Sequence, residues 1–160
     1  MRHIFYKRIL PFCLMFMMAV ATFLPNVSVY GAVGDSPPDE DIVEVSDTNR
    51  VLSRGNYLNF GTVMLSKVSS TRVLISGMTV CHRVCDKIGI GLYLEQSTDG
   101  VNYGPYRQWN LGCENNDTYS VSLELIVQPG YWYRLGGGHV AVMGNTGESV
   151  TTMTDGIYVG

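Results

Sequence analysis

The chain has 160 residues, 46% of them hydrophobic and 16% charged, with a formal net charge of −3. That length suits one domain of ordinary size rather than two. The acidic balance, without a basic stripe, argues against a protein built to bind nucleic acid.

The chain opens with Arg2, Lys7 and Arg8 and no acid, followed by an uncharged apolar run from Ile9 to Leu24. Pro25 ends that run, and small residues lead to Gly31-Ala32. A basic start, a short apolar middle and a small-residue end predict a cleavable signal peptide over residues 1–32 and a secreted, extracellular product. The run falls short of the roughly 20 residues that span a bilayer, so no membrane anchor is expected after cleavage. Cys13 follows Phe12 near the start of the run, which does not fit a lipid-anchored cysteine.

Residues 33–50 hold six acids (Asp35, Asp39, Glu40, Asp41, Glu44 and Asp47), the pair Pro37-Pro38, and one base at the very end, Arg50. So acidic a stretch, poor in large apolar groups, reads as a flexible leader. From Arg50 onward eight bases balance eight acids, and residues 51–160 read as the folded domain.

Seven strands are predicted there. Residues 60–65 come first, then the continuous apolar run Val73–Val80. Ile88, Ile90, Leu92 and Leu94 alternate with Gly89, Gly91, Tyr93 and Glu95, the period of a half-buried strand. Residues 106–111 follow; then Val121, Leu123, Leu125 and Val127 alternate with Ser122, Glu124 and Gln128. Residues 131–142 and 150–158 complete the set. Asp99-Gly100, Pro129-Gly130 and Gly144-Asn145-Thr146-Gly147 supply the turns between them. No window outside the signal shows helical periodicity. The fold class predicted is all-β, a single antiparallel β-sandwich of about seven strands, Ig-like or fibronectin type III-like, with a jelly roll as the alternative. Pro129-Gly130 before Tyr131-Trp132-Tyr133 resembles the E–F corner of those domains, where a tyrosine hydroxyl bonds back to the corner backbone. Tyr131 and Tyr133 both qualify.

After signal cleavage three cysteines remain, Cys81, Cys85 and Cys113, and all three are disulfide candidates. An odd number implies one bridge plus a free thiol, or a bond between chains. In a regular strand Cys81 and Cys85 would stand about 13 Å apart, beyond the roughly 7 Å a disulfide tolerates. Pairing them requires a turn at His82-Arg83-Val84, which the start of the next strand near Ile88 allows; Cys81 with Cys85 closing that turn, and Cys113 free or in an alternative bridge, is the arrangement preferred. A zinc set of Cys81, His82, Cys85 and Cys113 has the wrong spacing for a knuckle, so no metal is predicted. Catalytic signatures are missing: no G-x-S-x-G, no H-E-x-x-H and no phosphate loop. His139 with Glu148 across the last hairpin is the one acid–base pair the pattern offers. Glu95 and Glu124, on different strands, show no sign of sharing a cleft.

The aromatic residues point instead to binding. If the strands at 88–95 and 131–142 are neighbours, Tyr93 and Trp132 share an outer face with Glu95 and Arg134, flattened by Gly89, Gly91 and Gly136. Two rings that can stack on a sugar, beside two groups that can fix its hydroxyls, form a candidate ligand-binding surface.

The order Cys81-x-x-x-Cys85-Asp-Lys-Ile-Gly, Leu92-Tyr-Leu-Glu95, Trp109, Gly130-Tyr-Trp-Tyr-Arg134, His139, Glu148 and Thr154-Asp-Gly-Ile157 resembles an uncharacterised family of short secreted proteins from Gram-positive, largely clostridial bacteria. The resemblance implies secretion and assigns no activity. The function expected is a non-catalytic exported binding module without cofactor, its partner an extracellular glycan, wall polymer or protein. The alternatives are a self-associating protein joined through Cys113 or an open edge strand, and a small secreted hydrolase using His139.

Overall fold

In a computed structural model, residues 38–50 and 57–160 are described, and their regular elements are all β-strands. The predicted signal peptide and residues 33–37 lie outside the described residues. Seven strands follow in chain order: β1 Glu44–Arg50, β2 Leu58–Ser69, β3 Arg72–Ser97, β4 Gly104–Ile126, β5 Tyr131–Met143, β6 Thr146–Met153 and β7 Ile157–Val159. All pair antiparallel in one continuous sheet.

The all-β class and the count of seven hold, but the partition differs from the sequence reading. The predicted strands at 73–80 and 88–95 are one 26-residue strand, and those at 106–111 and 121–128 belong to one strand of 23. The turn expected at His82–Val84 is instead an irregularity within β3. Val80 pairs with Thr118 and Cys85 with Asn116, so β3 spends Cys81–Val84 where β4 spends only Asp117. Such an excess on one strand bends a sheet. Asn115, with φ of 53°, marks the matching bend in β4.

The bend folds the β3–β4 ribbon back on itself and makes two layers. One holds β1, β2, the first half of β3 and the second half of β4. The other holds the first half of β4, the second half of β3, and β5 with β6 and β7. Between them lies the core of Val63, Leu65, Val73 and Ile75 against Ile90, Leu92, Leu94, Tyr133 and Leu135, all 2% exposed or less. Contact is close enough that a methyl group at Gly77 would strike Ile90 and Leu92 of the facing layer. The two layers are thus shared strands bent over, where separate strands joined by loops were expected.

Residues 44–50, read as part of a flexible leader, are a strand. Two of its acids are held by hydrogen bonds to neighbouring strands. Asp47 Oδ2 accepts from the Met153 amide at 2.9 Å and Glu44 Oε2 accepts from Ser66 Oγ at 2.7 Å. Ile42 and Val45 meanwhile pack on the core.

The hairpin turn between β3 and β4 is built on Asp99. Its carboxylate accepts from the side-chain and backbone N–H of Asn102, from Ser97 Oγ and from the Val101 amide. These bonds, led by the Asn102 side chain, hold the carboxyl well below the usual range. At the other end Tyr133 Oη donates to Gln128 O at 2.8 Å, so Tyr133 rather than Tyr131 makes the corner bond. Burial, more than its neighbours, pushes the Tyr133 hydroxyl up to about 12. Removing that hydroxyl strands a part-buried carbonyl. Tyr133→Phe should therefore cost about 1 kcal/mol, and Tyr131→Phe less than about 0.5 kcal/mol. Urea unfolding of the two variants checks this; equal effects would contradict it.

Candidate functional site

In the second layer, Ile88, Ile90, Leu92 and Leu94 point to the core, which leaves Gly89, Gly91, Tyr93 and Glu95 on the outer face. The register sets Tyr93 opposite Gly136 and Gln108, Gly91 opposite Gly138 and Asn110, and Glu95 opposite Arg134. The predicted juxtaposition of β3 and β5 is therefore present, and three of the four predicted ligand-binding residues meet. Arg134 Nε donates to Glu95 Oε2 at 2.6 Å with both side chains 21% exposed. An ion pair this sheltered is less screened by water than one on the open surface. Arg134 also lies over the Tyr103 ring, 4.3 Å from its centroid.

Tyr93 leans across to β5. A methyl group at Gly136 would collide with its ring, so glycine there is what lets the ring lie on the strand. Burial, then the Glu95 charge, raises the Tyr93 hydroxyl above its usual value. A groove of about 360 Å³ runs beside the ring, between Tyr93 and Glu95 on β3 and Pro105–Gln108 on β4. Arg107 and Gln108 are its exposed polar groups.

Trp132 departs from the expectation. By parity it belongs to the outer face, yet it is 5% exposed and packs at 5.3 Å against Tyr158 of β7. The short strand β7, paired with Tyr131–Tyr133, supplies that cover. Trp132 is a packing residue, and the aromatic face reduces to Tyr93.

Sequence reasoning missed Tyr103, Arg107 and Gln108. The signal for Gln108 was present: extending the hairpin back from Asp99-Gly100 carries residues 106–111 alongside Tyr93. Tyr103 had no such signal. Its hydroxyl is buried without a hydrogen-bond partner against Gly156, which raises it to about 12 through desolvation.

His139 and Glu148 do not form an acid–base pair. His139 is 0% exposed, with Nδ1 2.9 Å from Thr79 Oγ1 and Nε2 2.9 Å from Thr152 Oγ1. Thr79 Oγ1 donates to Gly89 O at 3.1 Å, a shorter bond than the 3.4 Å from Thr152 Oγ1 to Gly137 O, so the better-satisfied arrangement has Nδ1–H donating to Thr79 and Thr152 donating to Nε2. That bookkeeping describes a neutral ring held in one tautomer. Gly61 and Gly137 make the space for it, since a methyl group at either would strike the ring. Glu148 Oε2 instead accepts from the Leu58 amide at 2.7 Å and the Tyr57 amide at 3.2 Å. Glu124 is likewise engaged elsewhere, with Arg72 at 2.9 Å.

The three cysteines gather beside the bend with Tyr57, Leu58, Ile88 and Ala141. All are thiols in this structure. Cys85 Sγ donates to Arg83 O at 3.4 Å, and burial followed by the neighbouring Cys85 thiol pushes the Cys81 thiol up to about 12. The irregular backbone from Cys81 to Val84 thus brings together side chains that a regular strand would separate. No group of three or more His, Cys, Asp or Glu side chains converges in a metal-binding arrangement among the described residues.

Fold and site together define a small two-layer β domain with a polar and aromatic patch on one outer face. The chain belongs to the family of unknown function DUF6147, whose model matches residues 28–156. No curated protein matches it.

Burial lowers the His139 pKa to about 4, with the Asp47 charge opposing. Unfolded, the same ring takes up a proton near 6.5. Between those values the unfolded chain binds more protons, so stability is full above about pH 6.5 and falls as pH drops toward 4. The total from this group is on the order of 3 kcal/mol. Denaturant unfolding of wild type and His139→Gln across that window tests this. The variant should show a flatter slope whatever its stability at neutral pH, and parallel slopes would contradict the assignment.

Proposed function

We propose that this domain is an exported, non-catalytic binding module of Gram-positive bacteria that attaches to an extracellular glycan or cell-wall polymer. Its contact surface is the outer face formed by Tyr93, Glu95 and Arg134 with the adjoining groove. The observation that carries the reading is Tyr93, a half-buried ring laid over Gly136 and flanked by a sheltered ion pair. Such a ring keeps its position without a partner, so little order is lost when a sugar stacks on it. Gly91 and Gly138, paired beside it, leave a low floor on which a flat pyranose can rest. Arg107, Gln108 and Asn110 along β4 offer hydrogen bonds to its hydroxyls. The second face of the domain has a larger depression of about 540 Å³, bordered by Ser46, Met64, Ser76 and Ser122, but it holds no aromatic ring and no charge.

Retention on purified cell wall, mucin and common polysaccharides tests the reading, with Tyr93→Ala compared after its fold is verified. Retention of the wild type on at least one polymer is expected, reduced about tenfold or more in the variant. Wild-type protein that passes through every matrix, or a variant that binds as well as wild type, would overturn it.

A further inference from the structure

β4 is the outer strand of both layers. It pairs with β3 along one side, and among the described residues no strand pairs with the other. A free edge of 23 residues is unusual, because unpaired N–H and C=O groups recruit further strands. Its protections are Pro105 at one end, four charged side chains, and the bend at Asn115, beside which Asn116 Oδ1 accepts from the Asp117 and Thr118 amides; no lysine or further proline occurs within the strand.

The inward side chains of β4 are also incompletely covered. Trp109, Leu111, Cys113, Tyr119, Val121 and Leu123 are all half-buried, whereas their neighbours on β3, from Val73 to Leu94, are sealed at the facing positions. The opposite side of the domain differs. There β1 and β2 are tied to β6 by side chains: Asp47 to the Met153 amide, Asn49 Nδ2 to Thr151 O, and Glu148 to the Leu58 amide. One flank is closed and the other ends abruptly in apolar side chains.

We propose that a second copy of this chain covers the β4 flank, its β4 pairing antiparallel with the first and the two-fold axis passing at Asn116. The strand is self-complementary about that point. On the inner face Cys113 then meets Tyr119 of the other copy, Leu111 meets Val121, and Trp109 meets Leu123. On the outer face Asn110 meets Ser122, Gly112 meets Ser120 and Glu114 meets Thr118. No charge opposes one of its own sign: Arg107, the single base of β4, falls opposite Leu125, and Glu124 falls opposite Gln108. Because the first half of β4 lies in one layer and the second half in the other, this pairing joins each layer of one copy to the opposite layer of its mate. Both sheets and the core between them then continue through the interface, as in edge-to-edge strand addition.

Sedimentation of residues 33–160 under reducing conditions tests this. The wild type should be a dimer. Asn110→Lys with Ser122→Lys, both at exposed positions, sets lysines opposite one another twice and should weaken the dimer about tenfold or more. Ser149→Lys, exposed on β6, should leave it unchanged. As a second readout, Asn116→Cys in a Cys113→Ser background should form a covalent dimer on oxidation. A wild type that remains monomeric at its highest soluble concentration would overturn the proposal. So would a dimer indifferent to the paired lysines, or an Asn116→Cys variant that does not cross-link.

Discussion

The fold depends on the bend at Cys81–Cys85. Without it, β3 and β4 would be a straight ribbon with Val73, Ile75, Ile90 and Leu92 on one uncovered face. The four residues that β3 spends against a single residue of β4 turn that ribbon over and set its first half against its second. Every later element takes its position from this: β2 docks on the first half of β3, β5 on the second, and β1 and β6 outside them. The small inward residues Gly61, Gly77 and Gly137 admit side chains from the facing layer. His139 is held in that interior by two threonines, one on β3 and one on β6. A polar core group fixed on both sides favours one packing of the layers over alternatives, at the expense of stability in acid.

The outer face of the second layer follows from the same geometry. Pointing Ile88, Ile90, Leu92 and Leu94 inward leaves the alternate residues of β3 outside, and the register with β5 does the rest. Glu95 meets Arg134 and Tyr93 meets Gly136 because one strand pairing holds over eleven consecutive positions, Lys87 to Ser97. The surface is sheltered: its ion pair is largely withdrawn from water and its ring rests on backbone. A preformed polar and aromatic face suits recognition, whereas the buried, neutral His139 is poorly placed for acid–base chemistry on a substrate.

Much of this was legible in the sequence, and the exceptions have physical causes. Period-two alternation located the inward face of β3 correctly, and through it the outward placement of Tyr93 and Glu95. The Pro129-Gly130-Tyr-Trp-Tyr context announced a corner bond but left two tyrosines equivalent; the backbone path to Gln128 decides for Tyr133. The cysteine spacing pointed to a turn at His82-Arg83-Val84, but with no glycine, proline or turn pair there nothing in the sequence showed that the chain bends within one continuous strand. The acidic content of residues 33–50 masked the alternation of Val45 and Asp47, since a carboxylate that accepts a backbone amide from β6 is a tertiary fact. Trp132 was misplaced for a similar reason: parity set its face correctly, but only the pairing of β7 reveals that Tyr158 covers it.

The central claim is that the Tyr93, Glu95 and Arg134 face is where this domain meets its ligand. Backbone amide NMR shifts of the labelled domain, titrated with soluble oligosaccharides released from cell wall and mucin, test it most directly. Shifts confined to Gly91, Tyr93, Arg134, Gly138 and the neighbouring part of β4 are the predicted result. An unperturbed spectrum with every mixture, or shifts centred on Ser46, Met64 and Ser76 of the other layer, would contradict it.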